Sequence, residues 1–457
     1  MSSLRAAAKD WRLGAVALLR VEAGLIGLVC FAAGAVPRLL PALLGLLALI
    51  AAIHVFAVDS ALPLRLLRSA VGIALAAFIA YLFINATWAP DRSEAFAKAA
   101  TVLGLVAAVL LIAASYSLRD PQEARMLAKS ALAGLAIGMA FLLIELNFGE
   151  PIARFLNNHV VHLFEVTPKK TKVVEGEVTK LSAFVLNRNV TSLVLLLIPC
   201  LLFTGALATS YSRRFSLVAL IAATAAIVLL SESGTSVVAF FVGALVLALA
   251  ALSLKVTRTL LAVGWTIATL LAVPLGALPY ELGWHHWTWL PPQSVAARFY
   301  IWKYVADEVH QKPITGIGIR GTRALHLVIP ADSNDPNNSG FALEGRAARH
   351  PHNIYLQTWL ELGGIGAVLL LAVGLAGLWQ MRLLPPALQG ASYGLFAISG
   401  AIGLSGFDLW QTWLLAAVAF AWAAMQLAAR LPALFLAADA HACAGESRKA
   451  ALPATRA

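Results

Sequence analysis

Histidine and arginine side chains gather at the start of one long apolar stretch of this chain. The sequence RHPHN at residues 349–353 leads without interruption into an apolar segment that continues past Leu371. Histidine titrates near neutral pH, so His352 could take a proton from a hydroxyl group, while arginine binds phosphate or carboxylate oxygens through its planar fork. The structural alternative is that His352 only caps the apolar helix or holds the loop before it.

A second polar group, NRN at residues 187–189, stands at the start of another apolar stretch. Arg188 is flanked there by two asparagines, and the N–H groups of a helix start suit a phosphate. Two such helix starts joined by basic loops predict one site for an anionic lipid headgroup. The alternative for Arg188 is that its side chain only extends to the membrane lipids around it.

The composition places these groups in a membrane protein. The chain is 60% hydrophobic and 12% charged, with a mean hydropathy of +0.81, whereas a soluble domain contains about 25% charged residues. A helix needs about 20 apolar residues to cross a bilayer, and segments of that length predict about twelve transmembrane helices. The segments lie near 14–35, 39–57, 66–88, 96–116, 126–147, 189–207, 215–231, 234–253, 258–278, 353–379, 387–405 and 409–429. The expected fold class is therefore an all-α integral membrane protein.

The distribution of lysine and arginine predicts the orientation. Short loops on one side carry most of the basic residues, which places both termini in the cytoplasm. Two long segments on the other side, about 148–188 and 279–352, are also basic, and the second contains six of the ten histidines. Long loops without structure of their own are rare unless they are functional, so we expect the chemistry on the periplasmic side.

Four parts of the chain follow from this pattern. Residues 1–278 contain spans one to nine, 279–352 form a periplasmic loop region with amphipathic helices, 353–429 contain spans ten to twelve, and 430–457 form a cytoplasmic tail without an assigned role. Within the outer segments, the sequence predicts a surface helix over 151–164, a small hairpin turning at Glu175-Gly176, and an amphipathic helix that begins near Ser294.

Several motifs have a structural interpretation that needs no ligand. The glycines of PITGIGIRG at 313–321 lack the strand-then-helix setting of a nucleotide loop and predict a tight turn. Asp307-Glu308 is expected to face water, and His350 with His352 makes an incomplete ligand set for zinc. We therefore predict neither a metal nor a cofactor. Glu361, inside a span, is expected to pair with an arginine from another helix and to fix the bundle.

The motifs taken together resemble the O-antigen ligase and O-antigen polymerase superfamily. RHPHNIYLQTWLELGGIG at 349–366 matches the signature in which a His-Asn pair opens a late span and a leucine follows three residues after the asparagine. Three further stretches match in order: LNRNVTS at 186–192, SESGTS at 231–236 and RFYIWKYVADEVHQKPITGIGI at 298–319. The resemblance covers about residues 70–425 and is most specific over 298–366.

The resemblance implies an inverting, metal-independent glycosyltransferase with a GT-C-like fold in the bacterial inner membrane and an active site on the periplasmic face. The donor would be a glycan on undecaprenyl diphosphate and the acceptor a lipid A–core oligosaccharide, with membrane lipids as partners and no nucleic acid. By position, the essential histidine of the family corresponds to His352 and its two essential arginines to Arg188 and Arg298.

The chemistry of these residues suits that implied reaction. His352 would act as general base on the acceptor hydroxyl, and arginines would stabilise negative charge on the departing diphosphate. A base of ordinary pKa predicts a rate that rises through roughly pH 6 to 7. His350 is expected to point elsewhere than His352 and to matter less. The residues expected to bind or orient substrate are Asn353, Arg346, Arg349, Asn187, Asn189, Arg320 and His350.

Two alternatives to an O-antigen ligase stay open. A polymerase or protein O-oligosaccharyltransferase of the same superfamily would use a different acceptor. A polyprenyl-glycan flippase or a solute transporter would belong to a different class, but transporters usually place polar groups near the membrane midplane on broken helices. The midplane of these spans is almost bare of polar residues.

Overall fold

Long helices form from the apolar segments, because a helix pairs its own backbone groups where no water is available. The computed structural model describes residues 2–159, 171–174, 177–181, 183–287, 293–325 and 350–431, and these contain sixteen α-helices and one two-stranded sheet. The helices are α1 (Ser2–Ala35), α2 (Leu40–Val58), α3 (Leu62–Leu67), α4 (Ala70–Asn85), α5 (Arg92–Leu118), α6 (Pro121–Asn147), α7 (Pro151–His159), α8 (Asn187–Leu207), α9 (Ser210–Leu230), α10 (Gly234–Leu252), α11 (Leu254–Leu270), α12 (Ala272–Glu281), α13 (Gln293–Val309), α14 (Ile354–Met381), α15 (Pro386–Ser405) and α16 (Thr412–Ala428).

Ten helical segments among the described residues are long and apolar enough to cross a membrane. This confirms the predicted all-α multi-pass class. The last predicted span corresponds to α16, which has 17 residues and is therefore about 25 Å long.

The predicted ninth span is wrong as a single helix. The segment expected over 258–278 consists of α11 and α12, which meet at an angle of 73°. Pro274 explains the break, because proline has no N–H to donate to the carbonyl of Leu270 and its ring collides with that carbonyl. α12 then packs against α13, the helix of the second outer segment.

Close helix packing at the centre depends on small residues. α8 is buried along almost its whole length and contacts α1, α6, α9, α10, α15 and α16. α1 and α6 cross so tightly that a Cβ atom on Gly134 would lie 1.9 Å from the carbonyl oxygen of Gly27. Glycines at such crossings let membrane helices approach each other and gain packing contacts that lipid alone does not favour.

The first outer segment is held to the bundle by α7 and a hairpin. Glu145 accepts hydrogen bonds from the backbone N–H groups of Ile152 and Ala153, which supplies acceptors for the otherwise unpaired start of α7. The hairpin strands β1 (Thr171–Val174) and β2 (Glu177–Leu181) pair antiparallel, as the sequence predicted. Residues 160–170 and the turn at 175–176 lie outside the described residues.

α14 is interrupted at Gly363, and the glycine loop of the second outer segment fills the interruption. Gly363 has φ 67° and ψ −168°. The N–H of Gly364 donates to Pro313 at 2.8 Å, and that of Gly318 donates to the carbonyl of Glu361 at 2.9 Å. A Cβ atom on Gly316 would lie 2.4 Å from the backbone of Glu361, so the loop fits only with glycine there. The glycines of this motif therefore serve close backbone contact.

Candidate active site

The loop that carries the two histidines is fixed by a tryptophan of α13. Trp302 donates its indole N–H to the carbonyl of Pro351, between the two histidines, at 2.7 Å. Arg298 lies one helical turn before Trp302 and on the same side of α13, because residues four apart share a helix face. The Arg-x-x-x-Trp spacing thus places a guanidinium next to the histidine loop.

His352 adopts a backbone conformation that is rare for a residue with a side chain. Its φ is 56°, in the left-handed region. Its Nδ1 lies 3.0 Å from the carbonyl oxygen of Gly406, in the turn between α15 and α16. A carbonyl can only accept, so this bond requires the proton on Nδ1 and leaves Nε2 of a neutral ring as an acceptor.

His350 lies against His352, which contradicts the expectation that it points elsewhere. The two ring centroids are 4.1 Å apart, and Nδ1 of His350 is 3.3 Å from the backbone nitrogen of His352. The expectation assumed that the start of α14 after His352 directs the two imidazoles apart. The positive φ of His352 instead turns the loop back, so that the two rings lie against each other.

Burial lowers the pKa of both imidazoles. The pKa of His350 falls to about 3, mainly through desolvation, with further lowering by His352 and the nearby arginines. The pKa of His352 is also lowered, first by desolvation and then by Arg298, although its bond to Gly406 and the carboxylate of Asp408 act in the opposite direction. Both rings are therefore neutral at pH 7, and this corrects the expectation that His352 has an ordinary pKa.

Asn353 caps α14. Its side-chain oxygen accepts from the backbone N–H groups of Tyr355 and Leu356, at 3.0 and 3.1 Å. The cap satisfies two donors at the helix start and fixes the point at which the loop becomes helix. The structure therefore supports a positioning role for Asn353, while its contact with substrate stays a prediction.

Arg320, in the loop after α13, connects that loop to the start of α5 and to the turn before α16. The side chain is buried, and it pairs with Glu94 at the start of α5 and with Asp408 in the turn before α16, both at 2.7 Å. A guanidinium engaged by two carboxylates is better placed to hold the loop than to bind a phosphate. Its predicted contact with substrate is untested.

Glu361 anchors the same loop, but not through a guanidinium. It accepts from the backbone N–H of Arg320 at 2.9 Å and from the side chains of Thr322, Gln357 and Trp410. The expected pairing of Glu361 with an arginine from another helix is therefore wrong, because its contact is with the backbone N–H of Arg320, a loop residue. The arginine side chain is occupied by the two other carboxylates.

The helix start at α8 is tied to its neighbours. Asn189 donates to the carbonyls of Gly34 and Ala35 at 2.9 and 2.7 Å, where α1 ends. Asn187 donates to the carbonyl of Glu232 at 3.4 Å, in the SESGTS turn. The two asparagines thus hold the bundle together around Arg188, which is half-buried.

A short series of contacts connects this helix start to the histidine loop. Thr191 of α8 and Ser236 of α10 share a hydrogen bond of 2.8 Å. Next to Ser236, Thr235 donates to the carbonyl of Ser405, the residue before Gly406. The structure therefore brings Arg298, His350, His352 and Arg320 together. It connects the start of α8, which carries Arg188, to them through Thr235 and Ser236 in the first turn of α10.

Two predicted substrate-binding residues, Arg346 and Arg349, lie outside the described residues. Asp307 of the acidic pair pairs with Lys303 at 2.6 Å and is exposed, as expected for a residue that faces water. Among the residues that the structure describes, no three or more His, Cys, Asp or Glu side chains are grouped as a metal site would require.

Sequence reasoning missed three participants: Asp408, Gly406 and Gln357. Gln357 donates to Asp408 at 2.7 Å and accepts from the backbone N–H of Leu409, which fixes the turn that faces His352. A signal for Asp408 was available, since it is the one acidic residue in the short predicted outer turn between spans eleven and twelve. For Gly406 there was none, because it acts through its backbone carbonyl.

Comparison with known proteins supports the predicted relationship. Residues 198–371 match the family model described as O-antigen ligase. Similar proteins named "Putative polysaccharide ligase" occur in Rickettsia felis, at 28% identity over 187 residues, covering 40% of this chain and 44% of the relative, and in Rickettsia typhi, at 30% over 188 residues, covering 40% and 45%. The chain thus spans less than half the length of the curated relatives that it matches.

Proposed function

We propose that this chain, whose residues 198–371 match the family model described as O-antigen ligase, transfers a glycan from undecaprenyl diphosphate to a lipid A–core oligosaccharide at the periplasmic face of the inner membrane. The observation that carries the proposal is the bond from His352 Nδ1–H to Gly406 at 3.0 Å. It leaves Nε2 of a neutral imidazole as a proton acceptor beside a half-buried arginine, Arg298.

The transfer requires one bond to form and one to break. An acceptor hydroxyl oxygen attacks the anomeric carbon of the donor sugar from the face opposite the diphosphate. The bond between that carbon and the diphosphate oxygen breaks, so the configuration inverts and undecaprenyl diphosphate departs. The hydroxyl proton passes to Nε2 of His352, which is the general base in this scheme.

The lowered pKa of His352 keeps its ring neutral in the protein without substrate, as a general base requires. A buried imidazole beside Arg298 is neutral before substrate binds, so no proton has to leave before the reaction. Its weakened basicity is partly offset by the Gly406 carbonyl and by Asp408, both of which favour the protonated ring that forms during transfer. The bound diphosphate adds negative charge that would favour the same form.

Arginine supplies the stabilisation that the leaving group needs. Negative charge builds up on the departing diphosphate, and a guanidinium binds phosphate oxygens through two parallel N–H groups. Arg298 stands on α13 beside the histidine loop. Arg188 stands at the start of α8, one helical turn before Thr191, which bonds to Ser236 of the SESGTS residues. We assign both to the diphosphate.

A transporter would use the helix breaks differently. Broken helices in transporters leave backbone groups available to a ligand at the midplane. Here the break at Gly363 is filled by the chain itself, since Gly364 and Ile365 donate to Pro313 and Ile314. This occupation favours an enzyme over a solute carrier.

In vitro transfer by the purified full chain in nanodiscs tests the proposal. The donor is a lipid-linked glycan, and the alternative acceptors are lipid A–core, a second lipid-linked glycan and an acceptor protein. We expect product on lipid A–core. Extension of the lipid-linked glycan alone would indicate a polymerase, product on protein alone would indicate a protein glycosylase, and movement of the donor without a covalent product would indicate a flippase.

The same assay tests metal independence. With the diphosphate held by arginines, we expect the rate to be unchanged by EDTA. Loss of activity in EDTA and its return with Mg²⁺ or Mn²⁺ would contradict the assignment of Arg188 and Arg298 as the groups that stabilise the leaving diphosphate.

A further inference from the structure

The backbone of His352 is held in a conformation that its own side chain disfavours. Among the described residues, positive φ angles occur outside glycine only at Glu150, Arg320 and His352. A residue with a Cβ atom stays in this region only where its surroundings hold it there. The surroundings of His352 therefore determine where its imidazole points.

The side chain of His350 provides one of these constraints. Its Nδ1 lies 3.3 Å from the backbone nitrogen of His352 and accepts that N–H, in the link from residue i to residue i+2 that asparagine side chains form in tight turns. The two rings are in contact, with centroids 4.1 Å apart. The bond from Trp302 to Pro351 holds the residue between them.

We infer that His350 is a positioning residue: its Nδ1 holds the backbone of His352 in the left-handed conformation from which the His352 ring reaches Gly406. The inference rests on the proposed function, in which Nε2 of His352 takes the acceptor proton. Without the link from His350, His352 can return to the commoner negative φ. Its Nδ1 then leaves Gly406, and the tautomer that exposes Nε2 as an acceptor is no longer selected.

The two imidazoles have complementary proton positions. Nδ1 of His350 accepts, so its proton is on Nε2, whereas Nδ1 of His352 donates, so its free acceptor is Nε2. This arrangement requires His350 to stay neutral, since a protonated ring has no acceptor. Burial keeps it neutral, together with His352 and the neighbouring cations Arg320, Arg298 and Arg323, while the carboxylate of Asp408 acts on His352.

Substitution of His350 by asparagine or by glutamine distinguishes the roles of its two ring nitrogens. The amide of Asn places an oxygen near the position of Nδ1, while that of Gln reaches the position of Nε2. We expect His350→Asn to keep most of the single-turnover rate at saturating donor, because the link to the His352 N–H survives. His350→Gln and His350→Ala should lose on the order of 10- to 100-fold, as expected when a reacting group is displaced by about 1 Å.

The kcat and the donor KM of each variant are compared with those of the wild type. Only variants whose melting temperature equals that of the wild type enter the comparison. A positioning role predicts loss in kcat with little change in donor KM. If the Asn variant is as slow as the Ala variant, or if Gln keeps the rate while Asn loses it, the Nδ1 link is not what matters and the inference is overturned. A His350→Ala protein of wild-type rate overturns it equally.

A readout without turnover separates this inference from the proposed function. Selective ¹⁵N-histidine NMR of the full chain in nanodiscs, with the His352 signal assigned by its absence in His352→Gln, reports which ring nitrogen carries the proton. We expect the Nδ1–H form in the wild type and His350→Asn, and a mixture of tautomers in His350→Ala. If that pattern holds while the wild type transfers no glycan, the proposed function fails and the positioning stands. An Nδ1–H form retained in His350→Ala overturns the positioning alone.

Discussion

α8 and α14 begin with similar residues, yet the structure uses the two helix starts differently. At α8, the asparagines beside Arg188 donate hydrogen bonds to the backbones of neighbouring segments, and Asn189 donates to two carbonyls at the end of α1. At α14, Asn353 caps its own helix, and His352 before it reaches across to Gly406. One start holds helices together, and the other presents a side chain.

The difference arises from what surrounds each helix start. α8 is enclosed by six other helices, so a polar group at its start must bond to whichever carbonyls its neighbours leave unpaired. The start of α14 follows a loop that is held by Trp302 of α13 and by the turn at Gly406. In the proposed function, Nε2 of His352 is the ring nitrogen that takes the acceptor proton. Similar local sequences therefore acquire different roles from their packing.

The comparison predicts its largest effect at His352. His352→Gln keeps a hydrogen-bonding side chain but cannot take up a proton, so single-turnover transfer should fall by about 10²- to 10⁴-fold, the range for loss of a general base. Donor binding should change little, because the proposed function assigns most of the diphosphate affinity to the arginines. The rate is measured in nanodiscs, with expression and melting temperature alongside.

His310 gives the matched control for this substitution. It lies in the same outer segment, and its Nδ1 contacts the carbonyl of Ala306 within its own turn, away from Gly406. His310→Gln should transfer glycan at the wild-type rate. A stably folded His352→Gln protein of near-normal rate would reduce His352 to a residue that only holds the loop.

Lysine substitutions at Arg298 and Arg188 should have the next largest effect. Lysine keeps the charge but loses the planar fork, and a hydrogen bond to a charged group contributes roughly 1.5 to 3 kcal/mol. Transfer should therefore slow by about 10- to 100-fold in each variant. Arg65→Lys is the control, since the exposed Arg65 of α3 pairs with Asp59 outside the site. Wild-type rates in both test variants would end the assignment of these arginines to the diphosphate.

A smaller and qualitatively different effect is expected at the asparagines. Asn189→Ala removes the donor from two buried carbonyls and should destabilise the bundle by about 0.6 to 2 kcal/mol, the range for hydrogen bonds between membrane helices. Asn353→Ala removes a helix cap that contributes about 1 kcal/mol.

Activity per folded molecule distinguishes the two asparagines. Asn189→Ala should lower the melting temperature and leave the turnover of the folded fraction unchanged, because its partners lie on α1. Asn353→Ala should lower turnover as well, since the cap fixes the residue after His352. Equal effects of both substitutions on turnover would mean that the starts of α8 and α14 do not have different roles.

The membrane fold could be predicted from the sequence because length and apolarity decide it locally. Even the error at the ninth span has a local cause, Pro274, which the apolar pattern conceals. The site could be predicted only in part. His352 and Arg298 are recognisable from residue type and motif, whereas the contacts of His352 with Gly406 and of Trp302 with Pro351 join residues about 50 positions apart. No local pattern encodes such contacts, and a backbone carbonyl leaves no trace in residue type.

The smallest predicted effect is a displacement of the pH profile. If neutral His352 is the base, the rate rises with pH as the ring loses its proton and levels off above its pKa. Desolvation and Arg298 lower that pKa, more than Gly406 and Asp408 raise it. The half-maximal rate should therefore lie below about 6.5, the ordinary value for histidine, with a flat rate across neutral pH. Single-turnover rates at subsaturating donor between acidic and neutral pH test this, because they report the pKa of the free protein, and the residual rate of His352→Gln should lack the acidic rise. A half-maximal pH above the ordinary value would mean that desolvation and Arg298 do not set the pKa of the ring in the free protein, and a rate that does not change with acid would mean that His352 acts, like the asparagines of α8, as a structural group.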